Sequence, residues 1–127
     1  MGVYINKPKK NYNKKRESKD IDRKKRQKIY QTKMWEELRK SKLMEQPLCQ
    51  ICELQGIVKL ANAVHHWHTF TKGQTQTEIE ALAFDYNNLC SICDTCHNSI
   101  HHHELKGCKS LEDVKNRLIA LGIITED

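Results

Sequence analysis

The sequence predicts a small α+β domain stabilised by zinc, with flanking helices and a basic N-terminal arm. Three observations carry that expectation. Two CxxC pairs flank a histidine-rich stretch, helical spacing of apolar residues occurs near both ends, and β-branched residues gather between them. Hydrophobic residues make up only 38% and aromatics 6% of the 127 residues, so the core is thin, and a domain this small needs help from a metal, a disulfide or a partner.

The six cysteines point to metal. No apolar export segment begins the chain and no run of about 18 apolar residues could cross a bilayer, so a reducing cytoplasm is expected, with no membrane partner. CxxC pairs there read as metal or redox sites rather than disulfides.

Residues 1–28 form the basic arm, with 12 Lys/Arg against Glu17, Asp20 and Asp22; its net +9 exceeds the +6 of the whole chain, so residues 29–127 sum to −3. With almost nothing apolar to bury, the arm alone should be disordered or a frayed helix. A solubilising tail is one reading. The favoured one is a phosphate-binding arm acting through Lys9, Lys10, Lys14, Lys15, Arg16, Arg23, Lys24, Lys25 and Arg26, with Tyr4 and Tyr12 available to stack on bases.

A second unit, residues 29–127, carries the domain. Tyr30, Met34 and Leu38 at i, i+4, i+8, with Trp35 beside them and Leu43 beyond, predict one helix stopped by Pro47. Cys49-x-x-Cys52 forms a knuckle, Gly56 a turn, and Ile57, Val58, Leu60 and Val64 suit short hairpin strands. The polar stretch from Thr71 to Glu80 with Gly73 reads as a loop. A helix should then start with Asp94 or Thr95 as N-cap and stop at Gly107. Ser110 and Asp113 make a capping box for a last helix, whose stripe Leu111, Val114, Leu118, Leu121 ends at Gly122.

Zinc takes four tetrahedral thiolate or imidazole ligands, and a CxxC turn lets two sulfurs reach one ion. Cys49 and Cys52 supply one pair. "CSICDTC" holds two overlapping pairs, Cys90/Cys93 and Cys93/Cys96. The second is favoured because it puts Cys96 at the start of a helix and leaves Cys90 in extended chain, where a small apolar side chain serves. Something folded must fill the forty residues between Cys52 and Cys93. Cys108 reads as an ordinary thiol.

With four cysteines saturating the zinc, the histidines are free for another role. His97 and His101 lie i, i+4 on one helix face and can share an ion. His65 and His66 are adjacent in a strand-like segment, so their side chains diverge. One imidazole can join His97 and His101 on a cation while its neighbour stays metal-free. Histidine titrates near pH ~6.5, so an unmetallated His66 suits a general base toward water. His102 and His103 read as a solvated helix face.

"NAVHHWHTF" followed by "YNNLCSICDTCHNSIH" resembles the HNH endonucleases, in their CxxC-bearing, zinc-stabilised branch with a treble-clef-like ββα-metal core. The match runs from Trp35 to about His101, roughly half the chain. The resemblance implies that His65 is the first-strand metal ligand, His66 the general base, Asn88 the asparagine that pins the hairpin, and His97 and His101 the helix ligands. The helix before the first cysteine pair also looks like the lead-in helix of small phage-type members, with Trp35, Leu38 and Arg39; Arg39 joins the arm as a DNA-binding residue. The sequence departs from the family at Thr69, where many members have proline, at Cys90, and at His68, a spare imidazole; Asn87 replaces Asn88 if the loop register slips by one.

What the resemblance implies is a phosphodiester hydrolase acting on DNA with Mg²⁺, Mn²⁺ or Ni²⁺, leaving 5′-phosphate and 3′-hydroxyl ends, beside a structural Zn²⁺. Short members occur in phages and prophages, inside the bacterial host cell, and assist genome packaging alongside terminase and portal; others are homing or restriction nucleases. Two further classes fit parts of the sequence: a non-catalytic zinc module binding nucleic acid through its arm, and a thiol redox protein using Cys90, Cys93 and Cys96.

Overall fold

The computed structural model describes residues 7–126, with side chains from residue 16 onward. It is α+β, with six α-helices and one two-stranded antiparallel sheet among the described residues. No described helix is long and apolar enough to cross a membrane.

Helix α1 runs from Lys7 to Tyr30, so the expected boundary after residue 28 falls inside a continuous helix. Lys, Arg, Glu and Gln are good helix formers, and Pro8 sits in the first turn, where a missing N–H costs little. Its last two turns are docked on the domain. Ile29 is buried, and the Lys25 ammonium donates to the carbonyl oxygens of Thr71 and Gly73 at 2.9 and 3.3 Å.

The helix expected across Tyr30 to Pro47 is broken after Tyr30. Thr32 Oγ1 donates to Ile29 O at 2.7 Å and itself accepts from Trp35 N at 3.1 Å, closing one helix and opening the next. Helix α2 spans Lys33–Glu45. The break rotates the faces, so Tyr30 and Met34 are exposed while Ile29, Trp35 and Lys42 are buried.

Helix α3, Gln50–Leu54, carries the first knuckle, and Gly56 turns the chain with φ +74°. Ile57, Val58 and Leu60 do not form the hairpin strand: they are 47%, 80% and 72% exposed, and only Leu60 makes a bridge, to Leu48. The strands are β1, Ala63–His66, and β2, Leu89–Ile92, with His65 opposite Cys90 and His66 opposite Leu89.

The span between the strands is structured. A 3-10 turn at Phe70–Lys72 precedes helix α4, Gln76–Ala83, and a second turn covers Tyr86–Asn88. Helix α4 corrects the expected loop. Thr75 Oγ1 accepts from Glu78 N while the Glu78 carboxylate accepts from Thr75 N, a reciprocal cap that starts a helix even in a polar stretch, and Ile79 and Ala83 bury its inner face. Gly73 is required because a Cβ there would lie 2.8 Å from Ile79 N.

Helix α5, Asp94–His102, follows β2 directly, with Cys93 in extended conformation as its N-cap, one residue before the expected position. It ends at His103; Gly107, φ +93°, belongs to the turn beyond. Helix α6 is Leu111–Ala120. Ser110 Oγ accepts from Asp113 N, but the Asp113 carboxylate takes Lys109 N and not Ser110 N, so the box is shifted by one residue. Val114 and Leu118 are buried, whereas Leu121 lies past the helix and is exposed.

Two apolar clusters result. One gathers Ile51, Ile92, Ile100, Val114 and Leu118 around the cysteines. The other packs Ile29, Trp35, Phe70, Ile79 and Leu89 between α1, α2 and α4.

Candidate metal centres

Cys49, Cys52, Cys93 and Cys96 converge from the α3 knuckle and the start of α5. All four are buried, and their sulfurs lie within 4.8 Å of one another. Cys52 Sγ is 3.8 Å from Cys93 Sγ and 3.6 Å from Cys96 Sγ. A tetrahedral ion with Zn–S bonds of about 2.3 Å demands a sulfur–sulfur edge of about 3.8 Å, so the donor set fits zinc. No disulfide links them. Hydrogen bonds from Cys96 and the neighbouring backbone amides bring the Cys49 thiol down to about 4. Burial, with Cys49 beside it, pushes Cys52 up to about 11, and Cys96 also rises, chiefly through its hydrogen bond with Cys49. All four become thiolates at this spacing only with a cation between them.

Cys90 stays outside the cluster. It is fully buried in β2, donates weakly to Ser91 O at 3.5 Å, and burial pushes its thiol up to about 12. Cys108 is buried in the same apolar cluster.

The second centre is imidazole. His65 on β1 meets His97 and His101 on α5, with one nitrogen of each within 4.8 Å of the others. His97 Nε2 and His101 Nε2 are 3.0 Å apart, a distance that suits one shared proton or two lone pairs on one cation. Burial and then the neighbouring imidazoles lower the His65 pKa to about 3; burial lowers His97 and His101 as well. Neutral rings offer the lone pairs that a divalent cation needs, and the three converge on one side of a cleft of about 330 Å³.

His66 lies on that cleft but points to the other side of the strand and is not part of the histidine cluster. Its ring stacks on Trp35 with centroids 4.9 Å apart and meets the edge of Phe70, also at 4.9 Å. Nε2 lies 3.0 Å from Ala83 O. A carbonyl only accepts, so Nε2 carries the proton and Nδ1 keeps the lone pair. Burial lowers the His66 pKa and the Ala83 carbonyl partly opposes it.

Asn88 is buried and bonded to His68 and Leu82, whereas Asn87 is exposed, its backbone N–H bound to Asp85. His68 presents an exposed ring outside the cluster, and His102 and His103 are exposed. Thr69 lines the cleft.

The basic residues divide. Tyr4 and the side chains of Lys9, Lys10, Tyr12, Lys14 and Lys15 fall outside the described residues. Arg16, Arg23 and Lys24 are exposed along α1, and Arg39 is exposed on α2. Lys25 holds the Thr71 turn. Arg26 reaches the histidine cleft, with Tyr30 beside it. That placement, the stacking of Trp35 on His66 and the Ala83 carbonyl have no signature in the sequence. The α4 cap does, in Thr75-x-x-Glu78.

No protein-family model, curated protein or solved structure matches this chain.

Proposed function

We propose that the protein is an HNH-type endonuclease that hydrolyses DNA phosphodiester bonds, with β1, β2 and α5 forming its ββα-metal core. One observation carries the reading. A histidine with a fixed tautomer and an available Nδ1, His66, lines the same cleft as three neutral imidazoles, His65, His97 and His101.

His65, His97 and His101 would hold a divalent cation such as Mg²⁺, Mn²⁺ or Ni²⁺, which would supply Lewis-acid stabilisation of the phosphate and of the departing 3′ oxygen. The protein's own groups do the rest. His66 Nδ1 takes the proton of the attacking water, while its Nε2–H bond to Ala83 O and the Trp35 ring keep the imidazole aimed. Arg26, on the rim of the cleft, binds a non-bridging phosphate oxygen. The exposed cations of α1 bind flanking phosphates without reading bases. Zinc on the four cysteines sets the direction of α5 and with it the positions of His97 and His101.

The test is plasmid cleavage with each of the three cations, comparing wild type with His66→Ala. The variant is expected to lose roughly 10²–10⁴-fold in rate while keeping its zinc. Equal rates for the two proteins would remove the assignment.

A further inference from the structure

A second polar cavity, of about 460 Å³, opens between the end of α2, the Tyr86 turn and the entry to α6, and of its lining the nuclease reading uses Asn88 alone, as a structural tie. Its floor holds an unusual group. Lys42 is only 4% exposed, yet among the described residues no carboxylate lies within ion-pair distance of its ammonium. The ammonium donates to the Gln46 side-chain oxygen and sits 4.7 Å over the Tyr86 ring, both neutral partners. Glu45, the nearest acid in sequence, accepts instead from the Tyr86 hydroxyl at 2.6 Å, which holds the ring in place under the cation. Buried charges are ordinarily paired, because neutral contacts return only part of the cost of desolvation. Burial pushes the Lys42 pKa below its ordinary value, and the nearby Cys90 and Glu45 side chains oppose it only in part.

The remaining lining is built on the same plan. Lys109 stands on the α6 side, its backbone anchored by Asp113. Gln50 Oε1 accepts from Ser91 N at 2.9 Å, which leaves the Gln50 NH₂ to donate. Asn87 and Ser110 add polar groups, and among the described residues no acidic side chain lines the cavity. Trp67 forms a wall and meets the His65 ring edge-on with centroids 5.2 Å apart, so the cavity lies beside the histidine cleft without sharing its ligands.

We propose that this cavity binds a phosphate group, with Lys42 and Lys109 supplying the charge and Gln50 a fixed donor. Two lysines and an amide suit a compact anion with several acceptor oxygens, which Lys recognises as a point charge. The phosphate comes either from the backbone of a bound strand or from a free phosphate. The site does not depend on the nuclease reading.

The experiment is an amide NMR titration of the zinc-loaded full chain, first with inorganic phosphate and then with a short oligothymidylate. Saturable shifts centred on Gln50, Asn87 and Lys109 are expected with at least one of the two. Lys42→Met keeps the apolar stem without the charge, and Lys109→Gln changes an exposed side chain that the fold does not need; each should weaken binding by roughly tenfold. Shifts with the oligonucleotide assign the site to a strand, and shifts with inorganic phosphate alone assign it to a free anion. His66→Ala should leave the titration unchanged, so failure of cleavage and failure of this site are separable. Absence of saturable shifts from these residues, or wild-type affinity in both folded lysine variants, overturns the proposal.

Discussion

The side-chain amide of Asn88 pairs with both backbone groups of His68: Oδ1 accepts from His68 N at 2.8 Å and Nδ2 donates to His68 O at 2.9 Å. The same Nδ2 donates to Leu82 O at 3.1 Å, so one residue ties the end of β1 to α4. Asn88→Ala leaves those part-buried backbone groups without their side-chain partner. A loss of about 2–4 kcal/mol in urea unfolding is expected, with a fall in cleavage rate because His66 lies two residues from the tie. A change below about 0.5 kcal/mol would show that water replaces the amide at no cost.

Metal analysis should separate the two centres. Zinc bound by the four cysteines is expected at about one ion per chain and should resist mild chelation, and Cys52→Ser should unfold the domain by circular dichroism. His97→Ala should keep that ion and lose affinity for a second cation. If His97→Ala stripped the sulfur-bound zinc, a single mixed centre would have to replace the two described.

Acid should destabilise the protein through His65. Its folded pKa is depressed to about 3, whereas the unfolded side chain titrates near ~6.5, so between those values only the unfolded state binds the proton. The contribution is therefore fully present above pH ~6.5 and is lost as pH falls, at about 1.4 kcal/mol per pH unit. Between pH 6.5 and 5 the wild type is expected to lose about 2 kcal/mol relative to His65→Gln, read from denaturant midpoints with a chelator mild enough to spare the zinc. Parallel pH profiles for the two proteins contradict a buried neutral His65.

Gly73→Ala tests how tightly α4 is seated. The backbone there is ordinary, so the penalty is purely steric: the new methyl would meet Ile79 N at 2.8 Å and Ile79 Cγ1 at 2.9 Å. Moving α4 should cost about 1–3 kcal/mol and displace the Ala83 carbonyl from His66. Calorimetry gives the first quantity and cleavage kinetics the second; an unshifted Tm means that the turn yields freely.

The parts legible in the sequence are those whose chemistry is local. Cys-x-x-Cys spacing brings two sulfurs to one ion whatever surrounds it, and Cys93 and Cys96 do meet Cys49 and Cys52. His97 and His101 share a helix face by spacing alone, and the alternation of a strand separates His65 from His66. The α+β class follows from the same local patterns.

What the tertiary structure decided is which faces meet. Tyr30, Met34, Ile57 and Leu60 have the right periodicity for a core and remain exposed, because Thr32 breaks the helix and the chain pairs instead at Ala63–His66. Lys42, polar by composition, is buried beneath Tyr86. Arg26 reaches the histidines only because Ile29 and Lys25 dock the arm helix against the Thr71 turn. Burial and orientation depend on contacts between residues far apart in the chain, and no local spacing encodes them.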